Sequence, residues 1–179
     1  MKATEQLRNE HEGIKLMMHI LGKLSGKLEA GEEVDPEHLE KIIEFFRVFA
    51  DKCHHGKEED ILFRDLGQKA LDPALAEQMR ELVLEHEWAR ATTRSLVSAS
   101  ASLVAGSRDS GPDVRRLLGD LAAFYPKHIE KEDKNFFRAS MAYLTPEERE
   151  TMLAEFARLD TTLIHEKYRG LVRDLEAGS

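Results

Sequence analysis

The chain has one cysteine, Cys53, among 179 residues. An internal disulfide is excluded, and one thiol without a second nearby builds neither a thiolate zinc site nor a redox pair. Long apolar runs are also missing, and none approaches the roughly 20 residues needed to span a bilayer. A signal peptide would open on a basic flank and an apolar stretch, whereas Met1 to Glu10 is polar and acidic. The expected location is the cytoplasm, with no membrane partner. Positive charge is in short supply: 26 Lys and Arg face 34 Asp and Glu, a formal net charge of −8, and the basic residues are scattered among acidic ones. That distribution argues against a nucleic-acid partner. Glycine-rich phosphate loops and a Ser-His-Asp order are absent as well.

What is present is a chain 41% hydrophobic and 34% charged, with eight histidines. Its length suits one core, and 1–179 reads as one domain. Apolar residues recur at helical spacing, as in Leu7, Ile14, Met17, Met18, Leu21 and Leu24, then Ile42, Ile43, Phe46 and Phe49. Strand-like alternation of useful length is lacking, so the fold class is all-α. Asp35-Pro36, Asp72-Pro73 and Thr145-Pro146 each set a capping side chain before a proline at the first helical position. Thr145 to Glu148 reads as a capping box, and Gly106 to Pro112 as a polar loop. Helices are predicted at about 4–30, 36–66, 73–105, 112–142 and 146–176. Segments of about 30 residues run about 45 Å. They suit an up-down-up-down four-helix bundle with short connections and a fifth helix appended. Pro126 predicts a kink near Ala122, and Gly56 is a weak point in the second helix.

The sequence repeats internally. A slide of 74 residues sets His54-His55-Gly56-Lys57-Glu58-Glu59 on His128-Ile129-Glu130-Lys131-Glu132-Asp133, with Phe63-Arg64 falling on Phe137-Arg138. A slide of 75 sets Glu10-His11-Glu12 on Glu85-His86-Glu87. Helices one and two therefore resemble helices three and four, and residues related by the repeat can face each other across a core. In each half a histidine and a glutamate stand four residues apart, on one helical face. Two such pairs with His11 and His86 give six candidate ligands: His11, His54, Glu58, His86, His128 and Glu132. Imidazole with carboxylate suits iron, manganese or zinc, while calcium and magnesium favour oxygen donors alone. Six donors exceed the need of one tetrahedral zinc, and two carboxylates on opposite helices can bridge two metals. Glu59 and Asp133 lie about 100° further round their helices and read as solvent-facing or as partners of the ligands. Cys53 and His55 read as packing or support for a ligand, and His19 and His38 as surface or hydrogen-bonded residues.

Asn9-Glu10-His11, His54-x-x-x-Glu58, Glu85-His86 and His128-x-x-x-Glu132 resemble the hemerythrin-like, or HHE cation-binding, family over about residues 4–142. Ferritin-like di-iron proteins differ in carrying Glu-x-x-His, glutamate first. The resemblance implies two non-haem iron ions with carboxylate bridges: His11 and His54 on one, His86 and His128 on the other, Glu58 and Glu132 between them. It implies binding or sensing of oxygen, nitric oxide or iron. Two alternatives stand beside this, a di-iron enzyme reducing peroxide or nitric oxide or assisting iron–sulfur repair, and an interaction bundle without metal. The oxygen-carrying branch has a second histidine four residues after the first in its third helix, where this chain has Arg90. It also tends to have an aspartate where Asp133 stands, which makes Asp133 an alternative to Glu132. Arg90 is expected to pair with a bridging carboxylate or an anionic ligand, or else with a surface acid. The family pattern has five histidines and the set above has four, so His165 in the fifth helix is the expected fifth ligand, with Tyr168 one turn on as a weaker oxygen donor. Packing of Leu153, Phe156, Leu159, Leu163 and Leu171 is a sufficient cause for that helix by itself.

Overall fold

The computed structural model describes residues 3–160, 168 and 170–176. Helix α1 covers Ala3–Glu29. Helix α2 spans 36–66 and changes pitch on the way: Pro36–Glu44 is α-helical, Phe45–His55 and Glu58–Phe63 are π-helical, and Arg64–Leu66 returns to α. Helix α3 covers Pro73–Val104. Helix α4 runs as Gly111–Lys131, a π-helical stretch Glu132–Phe136, and Phe137–Ser140. Helix α5 covers Pro146–Leu159.

The starts follow their local chemistry. Asp35 accepts from the Glu37 amide and Asp72 from the Ala74 amide, each at 2.9 Å. Thr145 and Glu148 form a reciprocal capping box. Each cap occupies an amide that its helix cannot satisfy internally, a gain of about 1 kcal/mol. The turns after α1 and α3 use Gly31 and Gly106 at φ of 76° and 94°, where a β-carbon would be strained.

Consecutive helices run antiparallel. Glu10 meets Lys57 while the later Gly13 faces the earlier Phe49. Asp51 and Glu59 of α2 meet Arg90 and His86 of α3 in reversed order. Glu85 and Trp88 of α3 meet His128 and Phe124 of α4. Helix α4 then closes on α1, with Ser25 bonded to Arg115 at one end and His11 to Asp133 at the other. The interior divides into two apolar clusters. One gathers Ile14, Phe46, Leu96 and Leu121, and the other Leu7, Leu62, Leu82, Phe136 and Phe156. Between them, at one level of all four helices, lies a layer of histidines.

Helix α4 is α-helical through Pro126 and departs from α geometry at Glu132–Phe136. One expectation needs correction. The predicted fifth helix at 146–176 is not continuous. It stops at Leu159 because Asp160 takes an extended conformation, φ −92° and ψ 92°, with its carboxylate bound to Gln6 at 2.8 Å and Lys57 at 3.1 Å. Residues 168 and 170–176 are helical. Helix α5 packs on α1 and the far end of α2, burying Met152 and Phe156 completely. Leu159 is 39% exposed, although its Cδ2 lies 3.4 Å from where a β-carbon on Gly56 would stand. Gly56 thus marks a close helix contact. Leu163 lies outside the described residues.

Candidate metal centre

The four repeat-related histidines share one arrangement. Each turns Nδ1 outward to a carboxylate and Nε2 inward to the bundle axis. His11 Nδ1 meets Asp133 at 3.0 Å, His54 meets Glu10 at 2.9 Å, His86 meets Glu59 at 2.6 Å and His128 meets Glu85 at 2.8 Å. A carboxylate on one imidazole nitrogen fixes the ring's orientation and makes the other nitrogen the better electron-pair donor, the support that metal-binding histidines almost always have. The inward nitrogens form two pairs, His11 with His54 at 3.0 Å and His86 with His128 at 3.2 Å.

Glu58 and Glu132 stand between the pairs, both fully buried. Glu132 presents Oε2 to His11 at 3.1 Å, and Oε1 to His128 at 3.2 Å and His86 at 3.6 Å. Glu58 presents Oε1 to His54 at 3.7 Å and Oε2 to His86 at 3.4 Å. Each carboxylate therefore offers one oxygen to each histidine pair. Among the described residues none of these four oxygens makes a hydrogen bond of acceptable geometry. Leaving a buried polar oxygen unpaired costs roughly 1–3 kcal/mol, more for a charged group. A cation at the point where nitrogens and oxygens converge removes that cost, so the residues fit a bound metal.

The protonation states carry the same strain. Burial, then the neighbouring Glu132, push Glu58 well above the carboxylate range, while Glu132 is driven well below it by His128, His11 and His86 in spite of burial. Two carboxylates this close do not both ionise without positive charge between them. Burial would lower His128, but Glu132 and Glu85 outweigh it and raise the ring to about 9. Burial wins at His54, which falls to about 4 despite Glu10.

All six candidate ligands inferred from the repeat are thus brought together, and the outer partners follow the repeat too. Glu10 is held by His54 and by Lys57 Nζ at 2.5 Å, and its counterpart Glu85 by His128 and Lys131. Glu10 and Glu85 were missed as partners of the ligands, although the slide of 75 residues superposes them. Asp133 and Glu59 hold equivalent places behind His11 and His86, which makes Asp133 a partner of His11 and not a substitute for Glu132. Arg90 reaches neither Glu58 nor Glu132. Its Nε donates to Asp51 and its Nη2 to Glu59, both at 2.6 Å, so it braces the acid that orients His86.

His165 lies outside the described residues. Tyr168 does not turn to the histidines; its ring packs on Phe45 and Phe49 at 5.9 and 5.5 Å in the apolar core. The histidine that sequence reasoning passed over is His55. It is 1% exposed, its two ring nitrogens have no hydrogen-bond partner among the described residues, and its ring stacks on His86 at 3.9 Å and 12°. Its ligand atoms group with those of His86 and His128 within 4.8 Å of one another. The repeat sets Ile129 opposite it, so self-comparison gave no signal. His19 is exposed and His38 partly so. Cys53 is buried, and that burial raises its thiol to about 12, which leaves it unreactive.

A helical bundle whose apolar core is split by a layer of carboxylate-braced histidines around two buried glutamates defines a cation-binding bundle protein. The particular family is settled by sequence: the model of the hemerythrin HHE cation-binding domain matches residues 2–140, and the chain belongs to that family. No curated protein and no solved structure is significantly similar to the chain. Among the described residues no helix is long and apolar enough to cross a membrane.

Proposed function

We propose that the chain holds two iron ions and binds or senses a small neutral molecule, oxygen or nitric oxide, at that pair. The observation that carries this reading is the placement of Glu58 and Glu132, each with one oxygen toward His11 and His54 and the other toward His86 or His128. In this reading the two cations would share both carboxylates. In this proposal His55 joins His86 and His128 at the second position, in the place the sequence reading gave to His165. Six or seven donors with two carboxylates exceed what one tetrahedral zinc uses, and imidazole with carboxylate suits iron. Iron supplies reversible redox change and affinity for diatomic molecules.

The chain's own residues set what can reach that chemistry. The histidines and both glutamates are at most 2% exposed, so a ligand has to be small. The apolar residues above and below the layer disfavour charge and exclude bulk water. Asp133, Glu10, Glu59 and Glu85 hold the rings against reorientation. A bundle without metal would leave the four buried oxygens of Glu58 and Glu132 without hydrogen bonds among the described residues, which speaks against a purely structural role.

The test is metal analysis of protein purified without oxygen, then a visible spectrum as air or nitric oxide is admitted. About two irons per chain and a new charge-transfer band support the proposal. Folded protein free of metal refutes it. Sustained consumption of peroxide or nitric oxide with a reductant would move the protein to the enzyme reading.

A further inference from the structure

Beside the metal layer lies a cavity of about 550 Å³ between α2 and α3, closed at its inner end by His55 and Tyr125. Its walls follow from helical spacing. Arg47, Asp51 and His55 succeed each other at intervals of four on α2, and Arg90, Thr93, Arg94 and Val97 lie on the facing stripe of α3. Phe46, Ala89, Val97 and the ring of Tyr125 make an apolar lining, with Phe46 and Tyr125 stacked at 5.5 Å.

The charge of this cavity runs against that of the chain. The whole protein carries −8, yet the lining holds Arg47, Lys52, Arg90 and Arg94 against Asp51 as its one acid. Asp51 is already engaged by Arg90 Nε. Arg47, Lys52 and Arg94 are exposed at the mouth and make no ion pair among the described residues. Three like charges around one opening repel one another, and an anion relieves that repulsion. An apolar interior of this size beneath a cationic mouth matches a ligand with an apolar body and an acidic head.

We infer that this cavity binds a small organic carboxylate, its body among Phe46, Val97 and Tyr125 and its carboxylate at Arg47 and Arg94. His55 at the inner end is shared with the proposed metal centre, but the contacts at Arg47 and Arg94 do not depend on which metal that centre holds. An arginine fork accepts a carboxylate through two parallel hydrogen bonds, while the apolar floor rejects a fully hydrated inorganic ion.

Benzoate is a suitable probe, with benzyl alcohol and inorganic phosphate as controls, titrated calorimetrically into the full chain as purified. Benzoate should bind, and more weakly as salt rises. Benzyl alcohol and phosphate should each bind about tenfold or more weaker, one lacking the charge and the other the body. Because Arg47 and Arg94 are exposed, Arg47→Glu and Arg94→Glu should leave the fold intact, checked by circular dichroism, and each should cost about tenfold in benzoate affinity. A neutral variant of another cavity residue, Val97→Trp, should fill the space and abolish binding without changing surface charge. No benzoate binding at millimolar concentration, equal binding of the alcohol or of phosphate, or undiminished affinity in the Arg47→Glu/Arg94→Glu double variant would overturn the assignment.

Discussion

The repeat places Glu10 and Glu85 in the same role, yet the structure buries them unequally, and this separates two effects that usually travel together. Glu10 is 3% exposed and Lys57, its partner, is fully buried. Replacing Glu10 with alanine leaves the Lys57 ammonium in the core with Asp160 at 3.1 Å and takes the acceptor from His54. Removing one partner of a buried ion pair costs about 3–5 kcal/mol. A second route gives a similar figure. Burial alone would raise Glu10, but the hydrogen bonds and charges of His54 and Lys57 hold it down to about 2 against an ordinary 4.5, worth on the order of 3 kcal/mol. At the other position the Glu85 and Lys131 side chains are 23% and 40% exposed. Water replaces the lost partner there, and Glu85→Ala should cost about 1 kcal/mol or less. Metal affinity should not follow this difference. Either variant frees one ligand ring from its orienting carboxylate, with an expected loss of about 10–100-fold. Urea unfolding of metal-stripped protein measures the first quantity and competition with a chelator the second. Equal stability losses in the two variants, or wild-type metal affinity in Glu85→Ala, would refute the reasoning.

The depressed Glu10 carboxyl also predicts a pH dependence in metal-stripped protein. Its folded-state pKa lies below the unfolded one, so its stabilisation is complete above about pH 4.5 and is lost as pH falls through that value toward about 2; Glu10→Gln should flatten the stability profile in that window, and an unchanged slope would count against it. Phe156 is fully buried in the cluster that joins α5 to α1 and α2, so Phe156→Ala should cost about 3–5 kcal/mol, and a loss below about 1 kcal/mol by thermal denaturation would mean that α5 is dispensable. Arg90→Leu removes one of two bonds that hold Glu59 against His86; it should weaken metal retention several-fold with little loss of stability, because the Arg90 side chain is 27% exposed, and unchanged retention by chelator competition would show that His86 does not need that brace.

How far the site was legible depended on which physical signal each residue leaves in a sequence. The helix starts were readable because Asp35, Asp72 and Thr145 act within three residues of themselves, and the observed helices begin at Pro36, Pro73 and Pro146. The end of α5 was not, since it depends on Asp160 reaching Gln6 and Lys57, contacts separated by more than 100 residues. The six converging donors could be read because duplication printed them twice. Lys57 and Glu10 were printed twice as well, but a lysine beside an acid ordinarily belongs to a solvated helix face, and only the fold reveals that this pair is buried.

His55 shows the limit of the method most clearly. Comparison of the two halves rewards what they share, and the two ends of the histidine layer differ where the halves differ, at His55 against Ile129. On an ideal α-helix two adjacent residues point about 100° apart, so His54 and His55 should not serve one centre. The π-helical geometry of Phe45–His55 alters that spacing, and both rings are buried, His54 beside His11 and His55 against His86. Whereas the repeat accounts for the paired carboxylates and their four histidines, the wide turn accounts for the asymmetry. It places an additional imidazole by His86 and His128, while the residue that the repeat sets opposite His55 is Ile129, buried and apolar. A site built on two-fold symmetry is in this way given two unequal ends, and the pattern of His-x-x-x-Glu pairs that identifies the centre is silent about which end is which.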